Sequence, residues 1–174
     1  MFELNLKFQE FWPIIEIFLG IFAISLGIRL IYSGIDKGFD YLSKWLEKRR
    51  TKKWLEKHKT LEEWKKVGDK EFERITAAIF EKLGYKTKVV GGPGDRGIDV
   101  IGYKGSKKIA IQCKKQDIVP PKDILALKGA INENEQGILA TTGHFTKEGE
   151  EIAKEKSIEL IDGLELEKLL AKSK

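Results

Sequence analysis

Three polar residues interrupt apolar segments near the middle of the chain. Asp99 lies between Ile98 and Val100, and Gln112 and Lys114 belong to the segment KKIAIQCKK. Burying an unpaired carboxylate is costly, so an acid between two apolar residues indicates a role other than packing. A carboxylate and a carboxamide offer oxygen ligands for a metal ion, and an ammonium group offers one positive charge. The chemistry that these residue types favour is therefore metal-assisted and acts on an anionic group.

Two short strands joined by a turn would position these residues. GIDVIGY is rich in β-branched and apolar residues, KKIAIQCK alternates as a strand does, and KGS between them has turn residues. Side chains along a strand change face at every step. Gln112 and Lys114 are therefore expected on one face, and the apolar residues of the same strand on the other. If the strands pair as a hairpin, Asp99 reaches the same end of the sheet.

The composition restricts which metal such a site can hold. The chain has one Cys and two His. This excludes an intramolecular disulfide framework, argues against a zinc site with nitrogen and sulfur ligands, and makes Cys113 a candidate core residue in its strand. Any metal must be held by oxygen atoms, which favours Mg²⁺ or Mn²⁺.

Length and charge bound the domain organisation. A chain of 174 residues has room for one ordinary domain and an appendage, and 41% hydrophobic with 34% charged residues describes a globular protein. The net charge is +5, but residues 59–174 carry 22 Lys and Arg against 20 Asp and Glu. Bulk charge is therefore weak support for nucleic-acid binding by that part of the chain.

An ordered set of segments resembles the Mrr-like branch of the PD-(D/E)xK restriction-endonuclease superfamily. FERI comes first, then GDRGIDV, then IQCKK, then ILATTGHFT, within about Asp69 to Leu170. In that branch Gln commonly replaces the second acid of the superfamily motif. The resemblance implies a restriction-endonuclease-like α/β/α three-layer domain with a mixed central sheet. The predicted order of elements, α-β-β-β-α-β-α-β-α, agrees with helices on both faces of such a sheet.

The resemblance also implies roles for individual residues. Asp99 would be the principal ligand of Mg²⁺ or Mn²⁺, Gln112 would offer its side-chain oxygen, and Cys113 its backbone carbonyl. Lys114 would lie beside the attacking water or the scissile phosphate, as a base or as an electrostatic clamp. An amide in place of an acid removes one negative charge, so we expect activity to need millimolar divalent metal.

An acid on the preceding helix is the fourth candidate. Glu73, in DKEFERITAAIFEKLGY, matches the acid that the family carries there, and would bind the metal through water or form a second site. Glu71 is its competitor, and a surface-exposed Glu is the alternative interpretation. Asp95 is interpreted as a turn residue rather than a second ligand, and His144 as an exposed loop residue rather than a base.

The function expected from the resemblance is a metal-dependent DNA endonuclease of restriction or DNA-processing type. Two alternatives stay open. One is a catalytically inactive, membrane-tethered module that binds nucleic acid or a protein partner through a nuclease-like fold. The other is a structural protein that oligomerises and keeps a vestigial motif. Small nucleases of this fold often act as dimers, so a homodimer is a further expectation.

An apolar segment lies at the other end of the chain. From Ile14 to Tyr32 nearly every residue is apolar, with Glu16 and Arg29 near the two ends. A helix of that length spans about 28 Å, close to the hydrocarbon thickness of a bilayer. The segment therefore predicts an N-terminal transmembrane helix that contacts the membrane through residues 14–35. An amphipathic or buried helix is the alternative, and a cleaved signal peptide fits less well because the bases follow the apolar run.

The flanking charges predict orientation and domain boundaries. Bases are concentrated after the apolar segment, which marks that side as cytoplasmic. We therefore predict a single-pass anchor in the cell membrane over residues 1–36, a basic helical linker over 37–68 and a cytoplasmic nuclease domain over 69–174. The basic segment 44–59 is expected to contact anionic lipid or the DNA backbone, or to be a solvated linker helix.

Overall fold

A computed structural model describes residues 2–90, 92 and 96–172, except for the side chains of residues 2–17, 20 and 32. The chain divides into two compact units, Met1–Glu47 and Lys48–Lys174. The second unit thus begins earlier in the chain than the nuclease domain predicted from the sequence, because the last turns of the first helix pack within it.

Helix α1 runs from Phe2 to Lys57. In the first unit its described apolar side chains are exposed, among them Phe18 at 68% and Leu30 at 66%. Over the described residues, no helix combines the length and the apolarity that crossing a membrane requires. The structure therefore does not support the transmembrane helix predicted at residues 14–35. Part of that prediction, at residues 14–17, 20 and 32, concerns side chains outside the described set.

The second unit consists of helices and strands in alternation. Its strands are β1 (Lys86–Val89), β2 (Val100–Lys104), β3 (Lys107–Lys114), β4 (Ile118–Val119), β5 (Glu135–Thr141), β6 (His144–Phe145) and β7 (Glu159–Ile161). Its helices after α1 are α2 (Leu61–Trp64), α3 (Asp69–Lys82), α4 (Pro121–Ala130), α5 (Lys147–Lys156) and α6 (Gly163–Lys172). The predicted order is confirmed, with β4 and β6 as short additions.

The main sheet is mixed, as predicted. Its strand order is β1-β2-β3-β5-β7, with β1, β2 and β3 antiparallel and with β3, β5 and β7 parallel. Strands β4 and β6 form a separate two-stranded parallel ladder. The parallel connections place helices on the faces of the sheet, which is the usual arrangement for βαβ units.

Helices cover the two faces with separate cores. Helices α3 and α6 pack on one face, where Phe72, Ile75 and Leu166 are buried with the apolar residues of β2 and β3. Helices α4 and α5 pack on the other face, around Ile124 and Leu139. The domain is therefore an α/β fold with helices on both sides of a mixed sheet.

The β2–β3 hairpin has the register that the alternation predicted. Val100 pairs with Ile111, and Lys104 with Lys107 at the turn. Ile111 belongs to the core under α3, whereas Gln112 pairs with Leu139, which belongs to the core under α4 and α5. Gln112 and Lys114 thus share the face opposite to Ile111, since they alternate with it along one strand.

In the second unit, the last turns of α1 are joined to α3 by ion pairs with one carboxylate. Glu81 on α3 pairs with Lys48 and, at 2.9 Å, with Lys52, and accepts a 2.9 Å hydrogen bond from Thr87. Leu55, three residues after Lys52, is completely buried in the core under α3. Burial by itself would raise the pKa of Glu81, but the hydrogen bonds from Lys48, Lys52 and Thr87 outweigh it and lower that pKa.

Replacing Glu81 by Gln is expected to lower the free energy of unfolding by about 1–2 kcal/mol at pH 7, since charged hydrogen bonds are lost. A lowered pKa in the folded state adds stability above the ordinary glutamate pKa of about 4.3, and that stability is lost as the pH falls through the lowered value. The difference between variant and wild type should therefore shrink below about pH 4. Chemical denaturation at several pH values measures this difference in the free energy of unfolding, with the exposed Glu151→Gln variant as control. A difference that does not depend on pH would contradict the lowered pKa of Glu81.

Candidate active site

Asp99 occupies the loop position immediately before β2 and is held across the hairpin. Its amide donates to the carbonyl of Ile111 at 2.9 Å, and its carbonyl accepts from the amide of Val90 at 2.8 Å. Its Oδ2 accepts a 2.7 Å hydrogen bond from the amide of Cys113. The carboxylate is therefore fixed against β3, where the sequence also placed Gln112 and Lys114.

Gln112 is buried on β3, at 7% exposure, beside the loop that precedes Asp99. Its Oε1 is buried with no hydrogen-bond partner. Gly97 has φ of +80°, and a Cβ at that position would lie 2.8 Å from Nε2 of Gln112. The positive φ favours glycine there, and a larger residue would also displace the Gln112 amide.

Glu73 approaches Asp99 from α3. It is 8% exposed, and its Oε2 is buried without a hydrogen-bond partner. Burial, and then the nearby charge of Asp99, raise the pKa of Glu73. Its competitor Glu71 lies elsewhere, with Thr51 at 3.4 Å and Arg74 at 3.1 Å from its carboxylate. The structure thus brings Glu73, rather than Glu71, to Asp99.

Cys113 contributes its backbone and not its thiolate. Its side chain packs against the core under α3, and burial, followed by the charge of Asp99, raises the pKa of the thiol. A thiol that stays protonated is a poor ligand for a hard cation. A role for the Cys113 carbonyl as a metal ligand stays a prediction.

Lys114 forms an ion pair that the sequence did not reveal. Its Nζ lies 3.3 Å from Oδ1 of Asp123, in the first turn of α4. Gln116 Nε2 donates to the other oxygen, Oδ2, at 3.3 Å. The only signal in the sequence is that Asp123 closely follows the helix start at Pro121, and an acid in a first helical turn is common for other reasons.

The donor atoms fit an oxygen-ligated cation. Two orphaned buried oxygens, on Glu73 and Gln112, lie with the Asp99 carboxylate in the same part of the domain, and hard cations such as Mg²⁺ prefer oxygen ligands. Across the described ranges, no three His, Cys, Asp or Glu side chains gather to hold a metal. One of the three donors here is an amide, which agrees with that finding.

Two further residues considered from the sequence are His144 and Asp95. His144 is exposed in β6, where its amide donates to the carbonyl of Asp117 at 2.9 Å. Asp95 lies outside the described residues. The structure therefore places Glu73 near Asp99, and Gln112 between the two β3 residues whose backbone groups contact Asp99.

Comparison with known proteins gives a family and a fold. A family model described as a restriction endonuclease, Mrr_cat, matches residues 64–170. Among curated protein sequences no match is found.

Several solved structures are similar to part of the chain at low sequence identity. The crystal structure of a protein of unknown function designated AF1548 superimposes with a TM-score of 0.51 at 19% identity, over 57% of this chain and 65% of that one. Can2 from Sulfobacillus thermosulfidooxidans, in complex with cyclic tetra-adenylate, matches with a TM-score of 0.49 at 16% identity, over 60% and 35%. MspJI restriction endonuclease, in complex with a 27-mer oligonucleotide, matches with a TM-score of 0.45 at 19% identity, over 71% of this chain and 30% of that one. The chain spans less than two thirds of each of these structures.

Proposed function

Since the chain belongs to the Mrr_cat restriction endonuclease family, we propose that it is a metal-dependent endonuclease that hydrolyses phosphodiester bonds in DNA. The observation that carries the proposal is the placement of Glu73 and Gln112, each with a buried orphaned oxygen, at the hairpin that holds Asp99. Leaving such atoms unpaired is costly unless something binds them. A divalent cation would satisfy both and would relieve the repulsion between Glu73 and Asp99.

The residues of the chain would hold the ion and the substrate. Asp99 and Gln112 would supply oxygen ligands, and Glu73 would bind directly or through water. When bound, the ion provides Lewis acidity and lowers the pKa of a coordinated water. Lys114, on the same strand face as Gln112, would place its positive charge against the scissile phosphate.

Cleavage of DNA by the purified full-length protein tests the proposal. Supercoiled plasmid should be nicked or linearised in millimolar Mg²⁺ or Mn²⁺, and should stay intact with excess chelator. Lys114→Ala should remove the activity, while the exposed Lys128→Ala on α4 should keep it. Intact plasmid under all metal conditions, or equal cleavage by the Lys114 variant, would overturn the assignment.

A non-cleaving binding module is the second candidate. The amide at position 112 favours it, because an acid there would bind metal more strongly. So does the near neutrality of residues 59–174, with 22 bases against 20 acids. Salt-dependent binding of DNA or of a protein, without cleavage of any DNA substrate, would establish this candidate in place of the enzyme.

Restoring an acid at position 112 is expected to tighten metal binding. Gln112→Glu should lower the concentration of Mg²⁺ needed for half-maximal cleavage by about tenfold, because a third carboxylate adds Coulomb attraction of roughly 1.4 kcal/mol or more at a buried site. The same change should lower the melting temperature without metal, since it adds repulsion to Glu73 and Asp99. Metal titrations of cleavage and of thermal stability measure both effects. Asn134→Asp, an exposed amide-to-acid change, is the control; an unchanged metal requirement would contradict the ligand role of Gln112.

Attachment to a membrane is a separate proposal. Its support is the exposed apolar surface of α1 between Phe18 and Ile35, followed by a basic stretch. We propose that this segment holds the protein at the cell membrane with the catalytic domain in the cytoplasm, and that exposed bases of 44–59 contact lipid or DNA. The protein should then sediment with membranes after cell lysis, whereas recovery in the supernatant would contradict it. A homodimer, which would supply two sites for two strands, is tested by the mass of the purified protein in solution.

A further inference from the structure

Asp123 lies where α4 begins, close to the end of β3. Its side chain is 15% exposed, and that of Lys114 is 30% exposed, so the ion pair between them is largely shielded from water. The pair joins the first turn of α4 to the strand that carries Gln112. Gln116, in the loop between the two elements, bonds the second oxygen of the same carboxylate.

We propose that Asp123 is a positioning residue that holds the Lys114 ammonium in place for the scissile phosphate. The inference rests on the proposed endonuclease function and adds a residue to it. Lysine has a long, flexible side chain whose ammonium can point in many directions. One oxygen of Asp123 restrains that ammonium, and the bond from Gln116 to the other oxygen restrains the carboxylate itself.

The distance between the charges suits positioning. Strong charged hydrogen bonds between nitrogen and oxygen are about 2.7–2.9 Å long. The Lys114 Nζ to Asp123 Oδ1 distance is longer, at 3.3 Å, and the ammonium has three N–H donors, so one ion pair does not use them all. It keeps donors for a phosphate oxygen while Asp123 limits where it can move.

Helix stabilisation alone does not account for these contacts. An acid in the first turn of a helix interacts favourably with the helix dipole wherever its side chain points. The carboxylate of Asp123 instead contacts two side chains from β3 and the following loop, Lys114 and Gln116. The N-cap of α4 is Pro120, without a side-chain cap, so Asp123 does not serve as the cap.

The first test measures the Lys114 amine without relying on cleavage. Full-length wild type, Asp123→Asn and Asp123→Glu are treated with a limiting amine-acylating reagent, and labelling of each lysine is followed by mass spectrometry. Lys114 should be labelled several-fold faster in the Asn variant and near the wild-type rate in the Glu variant, with Lys122 and Lys128 unchanged. Equal labelling of Lys114 in all three proteins, or faster labelling of all three lysines in the Asn variant, would overturn the positioning role.

The second test uses cleavage kinetics. A catalytic group displaced by about 1 Å can cost 100-fold in rate, so Asp123→Asn should lower kcat by roughly 10- to 100-fold with KM for DNA nearly unchanged. Asp123→Glu should recover most of that loss, because it restores the charge. A change in KM alone would contradict the inference. If the wild type cuts no DNA, the proposed function fails, and the labelling result still decides whether Asp123 positions Lys114.

Discussion

Asp99→Asn is expected to abolish metal-dependent DNA cleavage while the protein stays folded. Asn has the shape of Asp and keeps an oxygen that can accept the amide of Cys113, which donates to Asp99 at 2.7 Å. It lacks the negative charge that attracts a divalent cation. Residues that merely support metal ligands cost about 10- to 100-fold when mutated, so loss of the principal ligand should cost about 100-fold or more.

Single-turnover cleavage of plasmid DNA in saturating Mg²⁺ measures this loss. Asp117→Asn is a matched control, because Asp117 is exposed and its structural contact is made by the backbone carbonyl that bonds His144. Without metal, Asp117→Asn should unfold at the wild-type temperature, and Asp99→Asn at that temperature or above it, because it also removes the repulsion with Glu73. Retained stability separates loss of the ligand from loss of the fold. Cleavage by Asp99→Asn within a few-fold of wild type would remove Asp99 from the site.

Glu73→Gln is expected to have opposite effects on activity and on metal-free stability. The wild-type carboxylate is buried, has an orphaned oxygen and lies near the charge of Asp99. Gln removes the charge, so the free energy of unfolding without metal should rise by about 1 kcal/mol or more, as often happens when strain at a functional site is relieved. Cleavage should fall by about 10- to 100-fold, and the increase in melting temperature that Mg²⁺ causes in the wild type should become much smaller.

The pH dependence of this effect follows from the raised pKa of Glu73. A carboxyl whose pKa is higher in the folded state stabilises the fold below the ordinary pKa of about 4.3, where it is protonated in both states. That stability is lost as the pH rises through the raised value. The stability gained by Glu73→Gln should therefore be small near pH 4 and grow towards neutral pH.

Thermal unfolding in chelator from pH 4 to pH 8 checks this dependence. Glu71→Gln is the control on the same helix, because Glu71 is only partly buried and contacts Thr51 and Arg74. It should leave cleavage near wild type. A stability difference for Glu73→Gln that is flat with pH, or loss of cleavage in Glu71→Gln, would show that the wrong acid has been assigned.

Local patterns in the sequence predicted the central part of the fold. The alternation of faces along the strand KKIAIQCK predicts that Gln112 and Ile111 face opposite ways, and the structure has that register. The helix start at Thr146 was also predictable, and its hydroxyl accepts from the amide of Gly149 at 3.1 Å. Caps and strand alternation depend on residues a few positions apart, which is why they can be read without tertiary contacts. Local residue type misleads at the start of α3, where Asp69 is a preferred N-cap residue but Gly68 is the N-cap.

Contacts between distant parts of the chain decided the rest. Glu71 and Glu73 are equivalent by type and nearly so by position, and only the packing of α3 against the hairpin brings Glu73 to Asp99. Likewise, only the fold shows that Lys48 pairs with Glu81.

The residue types and their alternation therefore predicted the kind of chemistry that we propose, with oxygen ligands at one end of a hairpin. The tertiary structure determined which carboxylate lies near Asp99 and which one pairs with Lys114. Burial and charge proximity, which decide the pKa of Glu73 and the Asp123 ion pair, arise only when helices and strands far apart in sequence come together.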